Sequence, residues 1–333
     1  MILAGDIGGT NTRLAIFESR AAMLELRAEM VYRSREHTTL DEIVVAFVKE
    51  KALPVDRACF GIAGPVKGGR CITPNLAWVV DAKNLAQSLR LTEVFLLNDL
   101  ESIAYGTAVL GPKDVAVLRA GVPVTGNRAV IAAGTGLGEA GLFWDGSRHR
   151  PLASEAGHAD FAPRNELEIE LLRYLIGRYQ HVSYERILSG PGLVNVYEFF
   201  RDEKKEPEPD WLNEERAHRD AAAVITTAAL AGKSPLCERT LDLFIQIYGA
   251  EAGNCALRFT AVQGVFVAGG VAPKILPKLS QPSFLEAFND KGRLRPLLES
   301  IPVQVVTNDA VGLMGAAHFA ASSVPAPLGA SPV

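Results

Sequence analysis

The sequence predicts an α/β protein of two domains, in which helices pack against the faces of mixed sheets. The chain has 333 residues, about twice the length of an average domain. Buried-strand patterns alternate with helical patterns along it, which is typical of sheets covered by helices. A unit of strand, glycine turn and strand occurs at the start and again about 130 residues later. This recurrence predicts a duplicated domain that faces its copy across a cleft.

The composition excludes several functional classes. Lys and Arg total 34 against 38 Asp and Glu, so the net charge is −4, and the basic stripe of a nucleic-acid binder is missing. No apolar run approaches the roughly 18 residues of a membrane span, and the first residues lack the basic region of a signal peptide. We therefore expect a cytoplasmic protein that binds neither nucleic acid nor a membrane.

The four cysteines are Cys59, Cys71, Cys237 and Cys255. None belongs to a CxxC pair, and each lies in a largely apolar stretch. This pattern predicts buried, reduced thiols that act as small hydrophobic residues. No spacing among them matches a structural zinc site.

The first domain opens with two strands over 2–17, separated by the turn at Gly8-Gly9. Apolar residues at helical spacing predict the helix over 40–52. Short apolar runs that end in Gly or Asn predict buried strands. The further elements predicted here are strands over 24–32, 58–64 and 94–97, and helices over 82–89 and 99–110.

The second block repeats the strand–turn–strand pattern over 130–144, and residues 165–260 are mostly helical by periodicity. Strands over 264–270 and 303–307 and a helix over 311–320 follow. We assign residues 1–110 and 302–321 to a small α/β domain and residues 111–301 to a large one. The remaining residues, 322–333, are rich in Ala, Pro and Ser and predict a disordered tail.

Three glycine turns follow buried strands and are candidates for phosphate binding. Glycine lets backbone N–H groups approach an anion closely, and threonine adds a hydroxyl donor. Each turn alone could equally be a tight β-turn. No GxxxxGK[ST] pattern is present, so a P-loop is not indicated. The Gly134-x-Gly-x-Gly run is followed by a second strand rather than by a helix, so it indicates a Rossmann site only weakly. The candidate residues are Gly8, Gly9, Thr10, Asn11, Gly134, Thr135, Gly269 and Gly270, with Asp6 preceding the first turn.

Asn98 and Asp99 end a predicted strand and open a helix. Ligands of α/β sheets bind beyond the carboxyl ends of strands, so a carboxylate there could be a general base. The same residues fit a capping box, with Asn98 as N-cap and Glu101 three positions later. Both interpretations are compatible, and the spacing does not choose between them.

Glu155, His158 and Glu185 are candidates for binding a polyol, because carboxylates and imidazoles pair with vicinal hydroxyls. Each, taken singly, could instead be a surface charge or a loop tether. Glu155 and His158 alone do not supply enough ligands for a metal site.

As a set, six motifs resemble those of bacterial glucokinases. They extend over about residues 2–320. The motifs are LAGDIGGTNTRLA from Leu3, LNDLES from Leu97, AGTGLGEA from Ala133, SEAGH from Ser154, ERILSGPGL from Glu185 and VAGGVAP from Val267.

The resemblance implies the hexokinase/actin-like ATPase fold, with two RNase-H-like domains around a central cleft. It implies phosphorylation of D-glucose at the 6-hydroxyl by ATP, the first step of glycolysis. By motif position, Asp99 is implied to contact the sugar and act as general base, and Asp6 to hold Mg²⁺ through water. The residues implied to bind the other hydroxyls are Asn98, Glu155, His158 and Glu185. Those implied to bind the nucleotide are Gly8, Gly9, Thr10, Asn11, Gly134, Thr135, Gly269 and Gly270.

The resemblance leaves other features open. The family commonly forms homodimers, although no apolar stripe in this sequence independently indicates one. The related repressor/kinase family usually has a cysteine-rich zinc motif after a Gly-His pair. Here Ala-Asp-Phe-Ala follows Gly157-His158, which disfavours that group. The alternatives on the same fold are a non-catalytic sugar sensor and an actin-like ATPase. ADP or polyphosphate as donor also stays open.

Overall fold

A computed structural model of the chain describes residues 1–20, 23–74, 76–122, 124–152 and 154–323. The chain divides into two compact units. The first unit comprises Met1–Gly111 and the chain from Ala310 onward, and the second comprises Pro112–Asp309. Among the helices in the described part of the chain, none is both long and apolar enough to cross a membrane.

Within the described residues, the strands belong to three sheets, one large sheet in each unit and one small sheet in the first. In chain order they are β1 (Ile2–Ile7), β2 (Asn11–Arg20), β3 (Met23–Arg33), β4 (Arg57–Ile62), β5 (Val66–Lys67), β6 (Arg70–Ile72), β7 (Val79–Asp81), β8 (Val94–Asn98), β9 (Val115–Arg119), β10 (Arg128–Ala133), β11 (Leu137–Trp144), β12 (His149–Leu152), β13 (Gly264–Ala268) and β14 (Val303–Val306).

Polar side chains cap the starts of several helices. Thr39 accepts a hydrogen bond from the Glu42 N–H, and Ser234 accepts one from the Cys237 N–H, which satisfies donors that lack a partner within the helix. The helices are α1 (Leu40–Lys51), α2 (Ala82–Leu89), α3 (Asp99–Gly106), α4 (Glu166–Ile176), α5 (Gly190–Asp202), α6 (Asp210–His218), α7 (Ala221–Leu230), α8 (Pro235–Phe259), α9 (Leu276–Leu279), α10 (Pro282–Asn289), α11 (Arg295–Ser300) and α12 (Val311–Ser322).

The large sheet of the first unit has the strand order β3-β2-β1-β4-β8. β1 pairs antiparallel with β2 and parallel with β4, which in turn pairs parallel with β8. Side chains alternate across β1: Leu3 and Ile7 pack with α1, whereas Ile2 and Ala4 pack with α12. Both faces of this sheet are therefore covered, as the alternation of strand side chains requires.

The second unit repeats this topology with strands β12-β11-β10-β13-β14, and β9 is added beside β14. β10 pairs antiparallel with β11 and parallel with β13, and β13 pairs parallel with β14. The buried helix α8 lies in the core of this unit, where the Tyr248 hydroxyl is 3.3 Å from the Ala133 nitrogen. The predicted mixed α/β fold, built from a duplicated strand–turn–strand unit, is confirmed.

The structure differs from the sequence predictions in several elements. The helix that begins at Asp99 ends at Gly106 rather than at residue 110, and strands β5, β6, β7, β9 and β12 were not predicted. Strand β14 pairs with β13 and β9 in the second sheet, so the chain returns to the first unit at Ala310 rather than at residue 302. Of the predicted tail, Ser322 ends α12, and residues 324–333 lie outside the described residues.

All four cysteines are buried and free of disulfide bonds. The prediction of buried thiols is confirmed.

Glycine lets α3 and α12 pack at very short distance. A Cβ on Gly315 would lie 1.7 Å from the Ser102 carbonyl oxygen, and one on Gly106 would lie 2.2 Å from the Val311 carbonyl oxygen. The Ser102 hydroxyl donates to the Gly312 carbonyl at 2.8 Å. These backbone approaches leave no room for a side chain at Gly106 or Gly315.

We expect Gly315→Ala to destabilise the protein by about 3 kcal/mol or more, because the added methyl group must push α12 away from α3. The midpoint of urea unfolding, followed by circular dichroism, measures the loss.

Gly312→Ala is the matched control in the same helix. Its Cβ would have no atom closer than 3.6 Å, and alanine favours the helix over glycine. Gly312→Ala should therefore keep or slightly raise the midpoint. A parental midpoint for Gly315→Ala would contradict the close packing of these helices.

Candidate active site

In the first unit, the candidate residues follow strands whose carboxyl ends meet at one edge of the sheet. Ile7, Ile62 and Asn98 share one row across the parallel strands β1, β4 and β8. With strands about 4.8 Å apart, the ends of β1 and β8 are roughly 10 Å from each other. This edge therefore brings the turn after β1 and the start of α3 within reach of one small molecule.

The turn between β1 and β2 is held by backbone and side-chain hydrogen bonds. The Gly8 N–H donates to the Asn11 carbonyl at 2.9 Å. Ser34 donates from its hydroxyl to the Gly8 carbonyl at 2.8 Å, and its N–H donates to the Thr10 carbonyl at 3.0 Å. Thr10 and Asn11 are exposed. The turn is thus a fixed backbone loop that presents polar groups to solvent.

Asn98 caps α3 and also ties the end of β8 to a neighbouring loop. Its Oδ1 accepts from the Leu100 N–H at 3.0 Å, and its Nδ2 donates to the Gly64 carbonyl at 3.0 Å. The Glu101 carboxylate accepts from the Asn98 N–H, although burial raises the pKa of Glu101 above its ordinary value. The predicted capping box is confirmed.

Asp99 is the first residue of α3. Its Oδ1 accepts a hydrogen bond from the N–H of the next residue, Leu100, at 2.9 Å. The positive end of the helix dipole favours a negative charge at this position. The side chain is half-buried. Asp99 can therefore present an oriented carboxylate at the same edge as Asn98.

Asp6 lies on β1, two residues before the glycine turn, and its side chain approaches the start of α12. The Asp6 Oδ2 atom is 3.6 Å from the position that a Cβ of residue 312 would occupy. This is an ordinary van der Waals distance, so the carboxylate lies directly beside the helix start. A partly exposed carboxylate beside a candidate phosphate turn suits a hard divalent cation.

In the second unit, the glycine turn after β10 is tied to the start of α5. The Gly134 N–H donates to the Gly136 carbonyl at 2.8 Å, and the Gly190 N–H donates to the Gly134 carbonyl at 2.9 Å. Thr135 is exposed at the tip. Ser189 caps α5, accepting from the Gly192 N–H at 3.0 Å.

Glu185 joins this glycine turn to the other candidate residues of the second unit. Its Oε2 accepts from the Leu137 N–H at 2.9 Å, and its Oε1 lies 3.9 Å from Nδ1 of His158. A Cβ on Gly136 would lie 2.4 Å from Glu185 Oε2, so a side chain there would displace this carboxylate from its present position. Glu185 is thus a loop tether, and it still has a carboxylate oxygen directed toward His158.

Glu155 and His158 lie at the two ends of a short 3-10 helix, and both are exposed. The His158 N–H donates to the Glu155 carbonyl at 3.0 Å. Gly157 between them packs on β11, where a Cβ would come within 2.0 Å of the Leu137 carbonyl oxygen. This close approach places His158 beside Glu185.

The third glycine turn follows β13 and packs against the end of β10. Gly269 has a φ of +83°, and a Cβ there would lie 2.3 Å from the Ala133 carbonyl oxygen. The same oxygen accepts from the Val271 N–H at 3.1 Å. Gly270 is exposed, with open space around the position of a Cβ. The second and third turns therefore lie at one edge of the second sheet.

The structure brings the candidates of each unit together, and it adds residues that the sequence did not single out. In the first unit Ser34 fixes the turn from 26 positions away in the chain. In the second, Gly136 and Ser189 fix the turn and the start of α5. The Ser189-Gly-Pro-Gly192 pattern is a helix-start signal that could have identified Ser189. Ser34 has no such local signal.

Comparison with known proteins identifies the family. The glucokinase family model matches residues 3–323. A glucokinase from Nostoc punctiforme is 43% identical over 337 residues, which cover 96% of this chain and 99% of that protein. The crystal structure of a glucokinase from an Antarctic psychrotroph superposes with a TM-score of 0.86 at 30% identity, covering 97% of this chain and 99% of that one.

A ROK family glucokinase from Streptomyces griseus, solved in complex with glucose and AMPPNP, superposes with a TM-score of 0.68. Its identity is 20%, over 97% of this chain and 99% of that one, so this comparison shows the shared actin/hexokinase-like fold. The family model spans both sets of candidate site residues, and the Nostoc protein matches 96% of the chain. The chain belongs to the glucokinase family.

Proposed function

We propose that this protein transfers the γ-phosphoryl group of ATP to the 6-hydroxyl of D-glucose. Membership in the glucokinase family over nearly the whole chain supports this function. The observation in the site that carries it is Glu185, which bonds the glycine turn through one carboxylate oxygen and faces His158 with the other. That arrangement links a polyol-binding group directly to a candidate phosphate loop.

Asp99 is proposed as the general base. Phosphoryl transfer depends mainly on positioning and charge neutralisation, so the base need only take the hydroxyl proton as the new O–P bond forms. The N-terminal position of Asp99 in α3 favours its ionised form, which is the form that accepts a proton. Its bond from the Leu100 N–H orients the carboxylate.

The other sugar hydroxyls are proposed to bind Asn98, Glu155, His158 and Glu185. Carboxylates accept hydrogen bonds from hydroxyls, whereas an amide or an imidazole can both donate and accept. Such a set can pair with several hydroxyls of one sugar, and each pair contributes to discrimination between hexoses.

ATP is proposed to bind the three glycine turns. The exposed Thr10 and Thr135 offer hydroxyl donors, and the turns offer backbone N–H groups suited to phosphate oxygens. Gly9 and Asn11 belong to the first turn, and Gly269-Gly270 form the third. When bound, Mg²⁺ neutralises charge on the phosphate oxygens. Asp6 fits this role as a partly exposed carboxylate beside the first turn.

A cytoplasmic homodimer is the proposed state of the protein. Both features rest on the resemblance to bacterial glucokinases. Light scattering coupled to size-exclusion chromatography measures the dimer, and a mass near 35.7 kDa would contradict it.

A coupled assay tests the proposed function by combining glucose, mannose and glucosamine with ATP, ADP and polyphosphate. We expect the highest kcat/KM with glucose and ATP. Glucose binding without phosphorylation under any donor would support the sugar sensor instead. ATP hydrolysis that is as fast without sugar as phosphorylation is with glucose would support the actin-like ATPase.

Asp99→Asn is expected to lower kcat by about 100-fold or more, with little change in glucose affinity. The amide keeps the size of the side chain and can still accept from the Leu100 N–H, but it cannot take the proton. Steady-state kinetics and calorimetry measure the two effects separately.

Asp210→Asn is the matched control, because Asp210 is also the first residue of a helix, α6. The Asp210→Asn variant likewise loses a negative charge at the start of a helix, and it should keep the parental kcat. If Asp99→Asn turned over glucose like its parent, Asp99 would be only a helix-terminal residue.

Glu185→Gln is expected to weaken glucose binding roughly 10–150-fold, corresponding to about 1.5–3 kcal/mol for a charged hydrogen bond to a hydroxyl. The amide oxygen can still accept from the Leu137 N–H, so the glycine turn should stay in place. Glu155→Gln should act in the same direction. Calorimetric titration with glucose measures both.

The control is Glu166→Gln, which changes an exposed acid in the first turn of α4. It should bind glucose like the parent. Parental affinity in both Glu185→Gln and Glu155→Gln would show that the sugar binds elsewhere.

A further inference from the structure

A cluster of ionisable side chains lies buried in the second unit, apart from the residues proposed to bind sugar and nucleotide. Glu139 on β11 and Glu251 and Cys255 on α8 are all fully buried. Glu251 and Cys255 are four residues apart and so lie on the same face of the helix. Each of the three residues offers an atom that lies within 4.8 Å of the other two.

The hydrogen bonds of Glu139 leave one of its carboxylate oxygens unsatisfied. Its Oε2 accepts from Sγ of Cys255 at 3.1 Å and from Nη1 of Arg258 at 3.0 Å. Its Oε1 is buried and has no hydrogen-bond partner among the described residues. A buried, unpartnered polar atom is costly, and it marks a position where a further ligand would be stabilised.

The Arg258 guanidinium is a cation that contacts both glutamates of the cluster. Burial, together with the charge of Glu251 and a side-chain hydrogen bond with it, raises the pKa of Glu139 above its ordinary value, although Cys255 and Arg258 oppose the shift. Burial likewise raises the pKa of the Cys255 thiol.

The surroundings of the cluster supply outer contacts, and one of these, Arg258, also lines a neighbouring cavity. Nδ2 of Asn254 donates to Glu251 Oε2 at 2.7 Å, which orients that carboxylate. Arg258 contacts both glutamates, and its side chain is 38% exposed. It also lines a cavity of about 230 Å³, together with Gly141, Phe143 and Phe259. A metal site needs such oriented ligands.

We propose that Glu139, Glu251 and Cys255 form a buried binding site for a thiophilic divalent cation of the Zn²⁺ type. Carboxylates and a thiolate together suit zinc, whereas Mg²⁺ and Ca²⁺ take oxygen ligands. Tetrahedral zinc with Zn–O near 2.0 Å and Zn–S near 2.3 Å separates its oxygen and sulfur ligand atoms by about 3.3–3.5 Å. Sγ of Cys255 and Oε2 of Glu139 are 3.1 Å apart, and the remaining pairs, all within 4.8 Å, need to close by at most about 1.5 Å.

Binding conserves charge at the site. The ion forms bonds to two carboxylates and a thiolate, and the Glu139 carboxyl and the Cys255 thiol each release a proton to solvent. Arg258 stays as an outer partner of the carboxylates, and water completes the coordination. The ion would cross-link β11 to α8, so it should stabilise the folded second unit.

Cobalt titration of the full, untagged chain tests the proposal. The protein is treated with a chelator, freed of it by dialysis and kept in a reductant without thiols. Co²⁺ should bind at one equivalent per chain, produce a thiolate-to-cobalt charge-transfer band, release protons and be displaced by Zn²⁺. Sugar phosphorylation is measured separately, so failure of the metal site and failure of the proposed function are distinguishable.

Variants test whether the thiolate-to-cobalt charge-transfer band comes from the cluster of Glu139, Glu251 and Cys255. Cys255→Ser should abolish it and weaken binding at least about tenfold, and Glu251→Gln should weaken binding by a similar factor. Cys237→Ser is the matched control, since Cys237 is equally buried on the same helix and should keep the band. Circular dichroism and retained glucose phosphorylation confirm that each variant is folded.

Three outcomes would overturn the proposal: no stoichiometric binding to the folded parent, a band that persists in Cys255→Ser, or a band that disappears in Cys237→Ser. In the first case the cluster would be a carboxyl pair that shares a proton beside Arg258.

Discussion

One strand in each unit, β1 in the first and β10 in the second, pairs antiparallel on one side and parallel on the other, and this pairing determines where the candidate functional loops lie. β1 and β10 have this arrangement in their own sheets. The antiparallel neighbour requires a tight turn, and the parallel neighbour brings further carboxyl ends to the edge where that turn lies. In the first unit this edge collects the turn at Gly8 and the start of α3. In the second it collects the turns at Gly134 and Gly269.

Close backbone approach also shapes the candidate site at the edge of the second unit's sheet. In the second unit, side chains at Gly136, Gly157 or Gly269 would collide with Glu185, with the Leu137 carbonyl and with the Ala133 carbonyl, respectively. Two of these contacts hold the segments that carry Glu185 and His158 against the start of β11. The glycines matter here chiefly for space, and only Gly269 among the three also needs a positive φ.

Local patterns in the sequence were enough to predict most of the fold, since hairpins, helix periods and caps each depend on neighbouring residues. The helix over 82–89 and the capping box at Asn98 are examples. Patterns of this kind do not specify which strands pair. The strand over 303–307 was therefore assigned to the small domain, whereas β14 pairs in the sheet of the second unit. Contacts across long stretches also escaped prediction. Ser34 reaches Gly8 from 26 positions away, and Cys255 reaches Glu139 from 116, so cysteine spacing could not reveal their cluster.

Two glutamates near the start of β11, one bonded to the strand and one within it, differ in chemistry because they differ in burial. Glu185 accepts from the first N–H of the strand and is partly exposed, so it can offer a charged acceptor to a hydroxyl. Glu139 lies two residues further along, fully buried beside Glu251, and its charge requires a proton or another cation. Because the N–H that holds Glu185 belongs to Leu137 on the same strand, a cation that fixed Glu139 would also steady the strand on which the carboxylate proposed to bind sugar depends.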